Sequence, residues 1–177
     1  MKGFVKGGIN DLNDNIKSIQ HISATIANGT KTKAVAITTI DTAKTIVMLN
    51  GPGYENNGSY PRNSMVQVTL TDATTVTFDT YDNTDDNIYV NAIVVEFWRV
   101  KSLQTLSVAQ TSATIATAIT EVDSDKSLLF GSFTGMGTNY KYSGSTRIYF
   151  ASNTQVVTIN KWYGASATAK VYVVEFD

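Results

Sequence analysis

The chain has 177 residues and a net charge of −1, with 16% charged and 42% apolar residues, enough apolar material for one ordinary domain or two small ones. Charge this sparse, with no basic run, speaks against a nucleic-acid binder or a polybasic membrane patch, and no apolar run approaches the roughly 20 residues of a bilayer span. There are no cysteines, which excludes disulfides and thiolate metal sites.

The opening segment, MKGFVKGGINDLND, lacks the apolar core of a secretory signal. The expectation is synthesis in a cytoplasm and exit only by another route. With Gly3, Gly7 and Gly8, residues 1–15 read as an N-terminal arm that orders on a neighbour. Next comes IKSIQ (16–20), a strand opening, followed by His21, the one histidine of the chain. A triad or an imidazole metal site is hard to build from one histidine, so His21 reads as a strand-surface residue. The segment TTIDTAKTIVMLNG (38–51) looks like a turn leading into a strand, because an Asp there can accept backbone N–H bonds and set the turn. A long loop, NGPGYENNGSYPRN (50–63), holds Tyr54, Tyr60 and both prolines.

Val66, Val68 and Leu70 alternate with Gln67 and Thr69 into the segment VTLTDATTVTF (68–78), where Val76 and Phe78 follow across a DATT turn. The acidic run DTYDNTDDN (79–87) raises the question of calcium at Asp79, Asp82, Asp85 and Asp86. Its spacing does not match the helix–loop–helix calcium motif, and a solvated hairpin tip is the plainer reading. The strand AIVVEF (92–97) sets Ile93, Val95 and Phe97 on one face and Val94 and Glu96 on the other, the period-two pattern of half-buried antiparallel strands.

From residue 100 the chain repeats itself. VKSLQ (100–104) answers IKSIQ, and TEVDSDKSLLFGS (120–132) answers TTIDTAKTIVMLNG. IYFASNTQVVTI (148–159) answers VTLTDATTVTF, and VYVVEF (171–176) answers AIVVEF. Four matches in one order indicate a duplication. The predicted architecture is therefore all-β, two tandem antiparallel β-sandwich domains from an internal duplication. The expected bounds are an arm over 1–15, repeat 1 over 16–98 and repeat 2 over 99–177. The last strand of repeat 1 is expected to run directly into the first of repeat 2. The alanine-rich stretch SVAQTSATIATAIT (107–120) could pass for a helix, but its threonines and its alignment with repeat 1 argue for strand. A sandwich of about 80 residues buries only about 60% of its unfolded surface, so packing of the copies on each other, or oligomerisation, is expected.

Candidate chemistry is thin. Glu96 and Glu175 are equivalent by the repeat, but a glycosidase needs its two carboxyls about 5–10 Å apart, and equivalent positions in two sandwiches seldom meet. Each reads instead as the partner of a cross-strand Lys or Arg, or as facing a neighbouring subunit. No phosphate-binding loop is present, and the GMG at 135–137 is no dinucleotide fingerprint. No catalytic, cofactor-binding or metal residue is assigned, and no cofactor is expected. The second long loop, GMGTNYKYSGS (135–145), holds Tyr140 and Tyr142, and a further turn holds Trp162 and Tyr163. With Tyr54 and Tyr60 these are the candidate contact or glycan-stacking residues, since aromatics among Gly, Asn and Ser form contact surfaces. Hairpin loop, protein contact and sugar platform all remain open for them.

The K-S-[IL]-Q opening, the [IV]-D-[TS]-x-K turn and the V-V-E-F ending together resemble a family of β-sandwich repeats in phage and prophage virion structural proteins. The likeness covers 16–97 and 100–176. It also extends to H-type-lectin-like sandwiches. The resemblance implies a non-enzymatic virion component, on capsid or tail, assembled in the host cytoplasm and touching other virion proteins. The small size of each sandwich points to a homo-oligomer and the lectin-like likeness favours a trimer, while the sparse charge leaves neither nucleic acid nor membrane as an expected partner. The alternative the resemblance leaves open is a receptor-binding module for a host-surface glycan.

Overall fold

The computed structural model describes residues 15–54, 66–80, 84, 86–134, 146–160 and 168–177. Among these residues the fold is all-β, with twelve strands in four three-stranded sheets. Repeat 1 contributes β1 (Ile16–Ile26), β2 (Thr32–Ala36), β3 (Thr45–Tyr54), β4 (Gln67–Asp72), β5 (Thr75–Asp79) and β6 (Ile88–Phe97). Repeat 2 contributes β7 (Ser102–Ala109), β8 (Thr114–Ala118), β9 (Ser127–Thr134), β10 (Thr146–Ser152), β11 (Gln155–Asn160) and β12 (Thr168–Glu175). The sheets run β1-β6-β3 and β2-β5-β4 in the first copy, β7-β12-β9 and β10-β11-β8 in the second. Strand for strand, the topology is the same twice, and every pairing is antiparallel. The stretch that could pass for a helix, 107–120, forms the end of β7 and all of β8. Exposure alternates along β8, with Ile115 and Thr117 half-buried between exposed Thr114, Ala116 and Ala118, and its β-branched residues suit a pleated surface better than a helical stripe.

Each copy closes two sheets over one core. In repeat 1, Ile22, Ile26, Val90 and Val94 of one sheet meet Val68, Val76 and Phe78 of the other. In repeat 2, Val108, Ala169, Val171 and Val173 meet Val156, with Ile115, Ile148 and Phe150 packed against them. The second core is the weaker. By register, Gln110 and Thr158 stand where repeat 1 has the fully buried pair Ile26 and Phe78. Gln110 Nε2 donates to Thr158 Oγ1 at 2.7 Å, but its Oε1 finds no partner among the described residues. Repeat 2 thus carries a polar pair where an apolar one would be steadier.

Three expectations need correction. β6 does not run directly into β7, because residues 98–101 form a short connection outside any strand. Nor are the C-terminal halves of β6 and β12 half-buried, although Ile88–Ala92 of β6 do alternate between buried and exposed. Val94 and Val95, like Val173 and Val174, are all buried, because the outer faces of the two copies lie against each other. Tyr172 and Val174 belong to the same buried cluster as Ile46, Val95 and Phe97. Phe97 and Phe176 meet edge to face, ring centroids 5.2 Å apart. The alternation of Gln67 with its apolar neighbours also breaks: Gln67 is buried because its Nε2 donates to Thr168 Oγ1 of the other copy at 3.3 Å. The copies therefore support each other, as sandwiches of this size require.

Candidate functional site

The residues that repeat most faithfully converge at one end of each sandwich. Glu96, the last inward residue of β6, has a side chain only 3% exposed. Its Oε1 accepts from Lys17 Nζ at 2.8 Å and from the backbone N–H of Asp41 at 2.9 Å, and its Oε2 accepts from Ser18 Oγ at 3.2 Å. Glu175 repeats the arrangement with Lys101 at 2.8 Å, Asp123 N at 2.9 Å and Ser102 at 3.2 Å. The expectation that each Glu pairs with a cross-strand cation therefore holds.

The turn these carboxylates grip is built locally. Asp41 Oδ1 accepts from Ala43 N, and Asp123 Oδ1 from Asp125 N, both at 3.0 Å. Each caps a single 3-10 turn, Thr42–Lys44 or Ser124–Lys126. Thr45 and Ser127 return hydroxyl bonds to the carbonyls of Asp41 and Asp123. The glutamine of each opening motif clamps a backbone amide. Gln20 accepts from Thr38 N at 2.8 Å and donates to Thr38 O at 3.0 Å, and Gln104 does the same at Thr120 at 2.8 and 2.9 Å. Lys, Ser, Gln, Asp and Glu of the recurring motif are thus all engaged in tying the first strand, the last strand and the turn together.

Electrostatics agree with a staple rather than a reactive group. Burial pushes the Glu96 carboxyl up, but the Lys17 bond and the Asp41 N–H outweigh it and hold the group below its ordinary value. For Glu175 the Asp123 N–H and then the Lys101 bond hold it down, and the Lys101 ammonium is correspondingly raised by Glu175. A carboxyl held ionised in this way is a poor general acid. Glu96 and Glu175 also sit on the strand faces opposite to Phe97 and Phe176, whose rings touch. The two carboxylates are therefore directed away from each other, each into its own sandwich.

His21 is exposed on β1 and lines an open groove with Gln20, Ile22, Ser23 and residues 35–38, none of them a second ionisable group. A second open cleft, around Lys101, Glu121, Asp123 and Glu175, is the rim of the repeat 2 staple. Among the described residues no three His, Cys, Asp or Glu are grouped to hold a metal. Asp82 and Asp85 lie outside the described residues, and Asp79 is half-buried with Lys31 nearby. Tyr60, Tyr140, Tyr142, Trp162 and Tyr163 likewise lie outside them. Tyr54 is described only as the backbone end of β3.

Sequence reasoning missed the apolar surface. Ile19 is 50%, Leu128 40% and Trp98 56% exposed. Lys17 Nζ stands 5.5 Å from the Trp98 ring centroid, so the staple lysine also covers part of that ring. Trp98 had a readable signal: repeat 1 reads EFWR where repeat 2 ends EFD. The chain matches no protein-family model, no curated protein and no solved structure.

Proposed function

We propose that this chain is a non-enzymatic structural protein of a bacteriophage virion, an accessory or decoration component of capsid or tail that works through protein–protein contacts. The observation that carries the reading is the double staple. The ionisable groups that converge among the described residues, Lys17 with Glu96 and Lys101 with Glu175, are consumed in holding the fold. What the surface offers instead is uncharged polar residues with exposed Ile19, Trp98 and Leu128, the composition of a contact surface. The recurring motif supports the phage assignment as a resemblance. In this reading the chain is a homo-oligomer, with three copies as the favoured number, and it is found in the assembled particle.

The test is mass spectrometry of particles purified from cells that produce this chain, with a glycan array run on the purified protein. The expected outcome is the chain at a fixed copy number per particle and no glycan signal. Absence from purified particles, or saturable glycan binding lost in Trp162→Ala, would replace this reading with a receptor-binding one.

A further inference from the structure

The contact between the two repeats is not a two-fold one. In a two-fold contact, equivalent residues are buried alike. Here Ile46 of β3 is 1% exposed, whereas its equivalent Leu128 of β9 is 40% exposed. Leu103 of β7 is half-buried at the cluster shared by the two repeats, whereas its equivalent Ile19 of β1 is 50% exposed. Gln67 is buried and its equivalent Arg147 exposed; Ser132 is buried and its equivalent Asn50 exposed. Repeat 1 therefore gives one surface to the contact, around Ile46, Gln67 and the edge of β4. Repeat 2 gives a different one, around Leu103, Ser132 and Tyr172. Each repeat keeps exposed only the margin of the surface that the other has used, Ile19 and Asn50 in repeat 1 and Leu128 and Arg147 in repeat 2, while Val95, Phe97, Tyr172 and Val174 at the centre are buried.

From this we infer that a second copy of the chain docks there, the Ile19 margin of its repeat 1 meeting the Leu128 margin of repeat 2, so that margin pairs with margin between chains beside the buried internal contact. The side chains fit that role. Leu128 replaces Ile46 and Ile19 replaces Leu103, so both margins stay apolar where the internal contact is apolar. The internal hydrogen bond from Gln67 to Thr168 would be replaced by Arg147 and Tyr89, a guanidinium against an aromatic ring. Arg147 already stacks at 4.8 Å on the Tyr149 ring, so its fork is held in a planar environment. The two open margins flank the buried ends of the central strands, Val95 and Phe97 of β6 and Tyr172 and Val174 of β12, so the new contact continues an existing apolar seam. A contact between unlike surfaces propagates, closing into a ring or running on as a row. This inference rests on the reading that the chain acts through protein contacts. Its test uses the purified chain without particles, so loss of self-association and loss of virion incorporation are separate results.

The experiment combines sedimentation with cross-linking in a chain that has no native cysteine. The unaltered protein should sediment as a multiple of its 19.2 kDa mass. Ile19→Asp and Leu128→Asp should each weaken self-association by about 30-fold or more, as loss of a central apolar contact does. Both should keep the far-ultraviolet spectrum of the parent, since both positions are exposed. Ile19→Cys and Leu128→Cys protein, joined by a short bis-maleimide, should give a one-to-one dimer when mixed and little product when either is treated alone. A monomer at all concentrations, self-association untouched by both Asp variants, or equal cross-linking in the unmixed samples would each overturn the inference.

Discussion

Replacing Glu96 by glutamine removes one charge and keeps the shape, so it isolates what the staple contributes. The carboxylate, 3% exposed, holds three donors: Lys17, Ser18 and the Asp41 N–H. A glutamine carbonyl can keep Lys17 and Asp41 N, and the Ser18 hydroxyl can turn to accept from the new NH2. What is lost is the charge assistance in two bonds, each falling from about 1.5–3 to about 0.5–1.5 kcal/mol. Lys17 is 40% exposed, so solvent screening reduces its share to about 0.5–1 kcal/mol. The bond to Asp41 N contributes about 1–1.5 kcal/mol. Glu96→Gln should therefore cost about 2 kcal/mol and lower the melting temperature by roughly 4–8 °C for a chain of this size.

The assay is urea unfolding followed by tryptophan fluorescence, repeated across pH. The Glu96 carboxyl is held below its ordinary value of 4.5 in the fold. Its stabilisation is therefore fully present above that value and is lost as pH falls through the lower folded value. The gap between parent and variant should be constant from neutral pH down to about pH 5 and should close in stronger acid. A cost under about 0.5 kcal/mol, or a gap that does not close in acid, would refute the assignment of Glu96 as an ionised staple.

Three further outcomes follow from the same geometry. Ser132→Ala removes the hydroxyl that Val68 N, on the outer edge of β4, donates to at 3.2 Å, and an orphaned buried N–H should cost about 1–3 kcal/mol in urea unfolding; an unchanged midpoint would mean that the repeats are not joined there. Gly131→Ala places a Cβ 2.7 Å from the Lys170 carbonyl and against the Ile148 side chain, so thermal unfolding should show a loss of about 1–3 kcal/mol, and a neutral result would contradict the close approach of Ile148 to β9. Burial pushes the Asp79 carboxyl above its ordinary value of 3.8 despite Lys31 nearby, so its ionised form opposes folding; Asp79→Asn should raise the melting temperature at neutral pH, with the gain shrinking as pH falls through the raised value, whereas a drop at neutral pH would show that the charge is compensated.

The fold was legible because the duplication is written at the level of strands. The paired motifs fixed the number of copies, and the Thr-rich β8 declared itself against a helix. The turn Asp residues, Asp41 and Asp123, were readable too, since an Asp before a short turn has few other local uses. The partners of Glu96 were half-readable: a Lys and a Ser kept at 17–18 and again at 101–102, beside a Glu kept at 96 and 175, mark a linkage, but only the antiparallel register of β1 on β6 shows that they meet. The burial of both faces of β6 was not legible. Alternation in a strand reports how its own sheet is solvated, and the second copy covers the face that the pattern left unassigned. Gln67 illustrates this: it reads as a solvent-facing residue in its own strand and is buried by a residue 101 positions away. The unequal exposure of Ile46 and Leu128 is likewise invisible in a sequence where both are simply apolar.

The most direct measurement is a reconstruction, by electron cryomicroscopy, of the particle made in cells that produce this chain, with the two sandwiches placed as rigid bodies in the density. Symmetry-related copies on capsid or tail, in contact through residues around Ile19 and Leu128, are the expected result. A reconstructed particle with no density for the paired sandwiches, in a preparation where the chain is abundant but free, would contradict it.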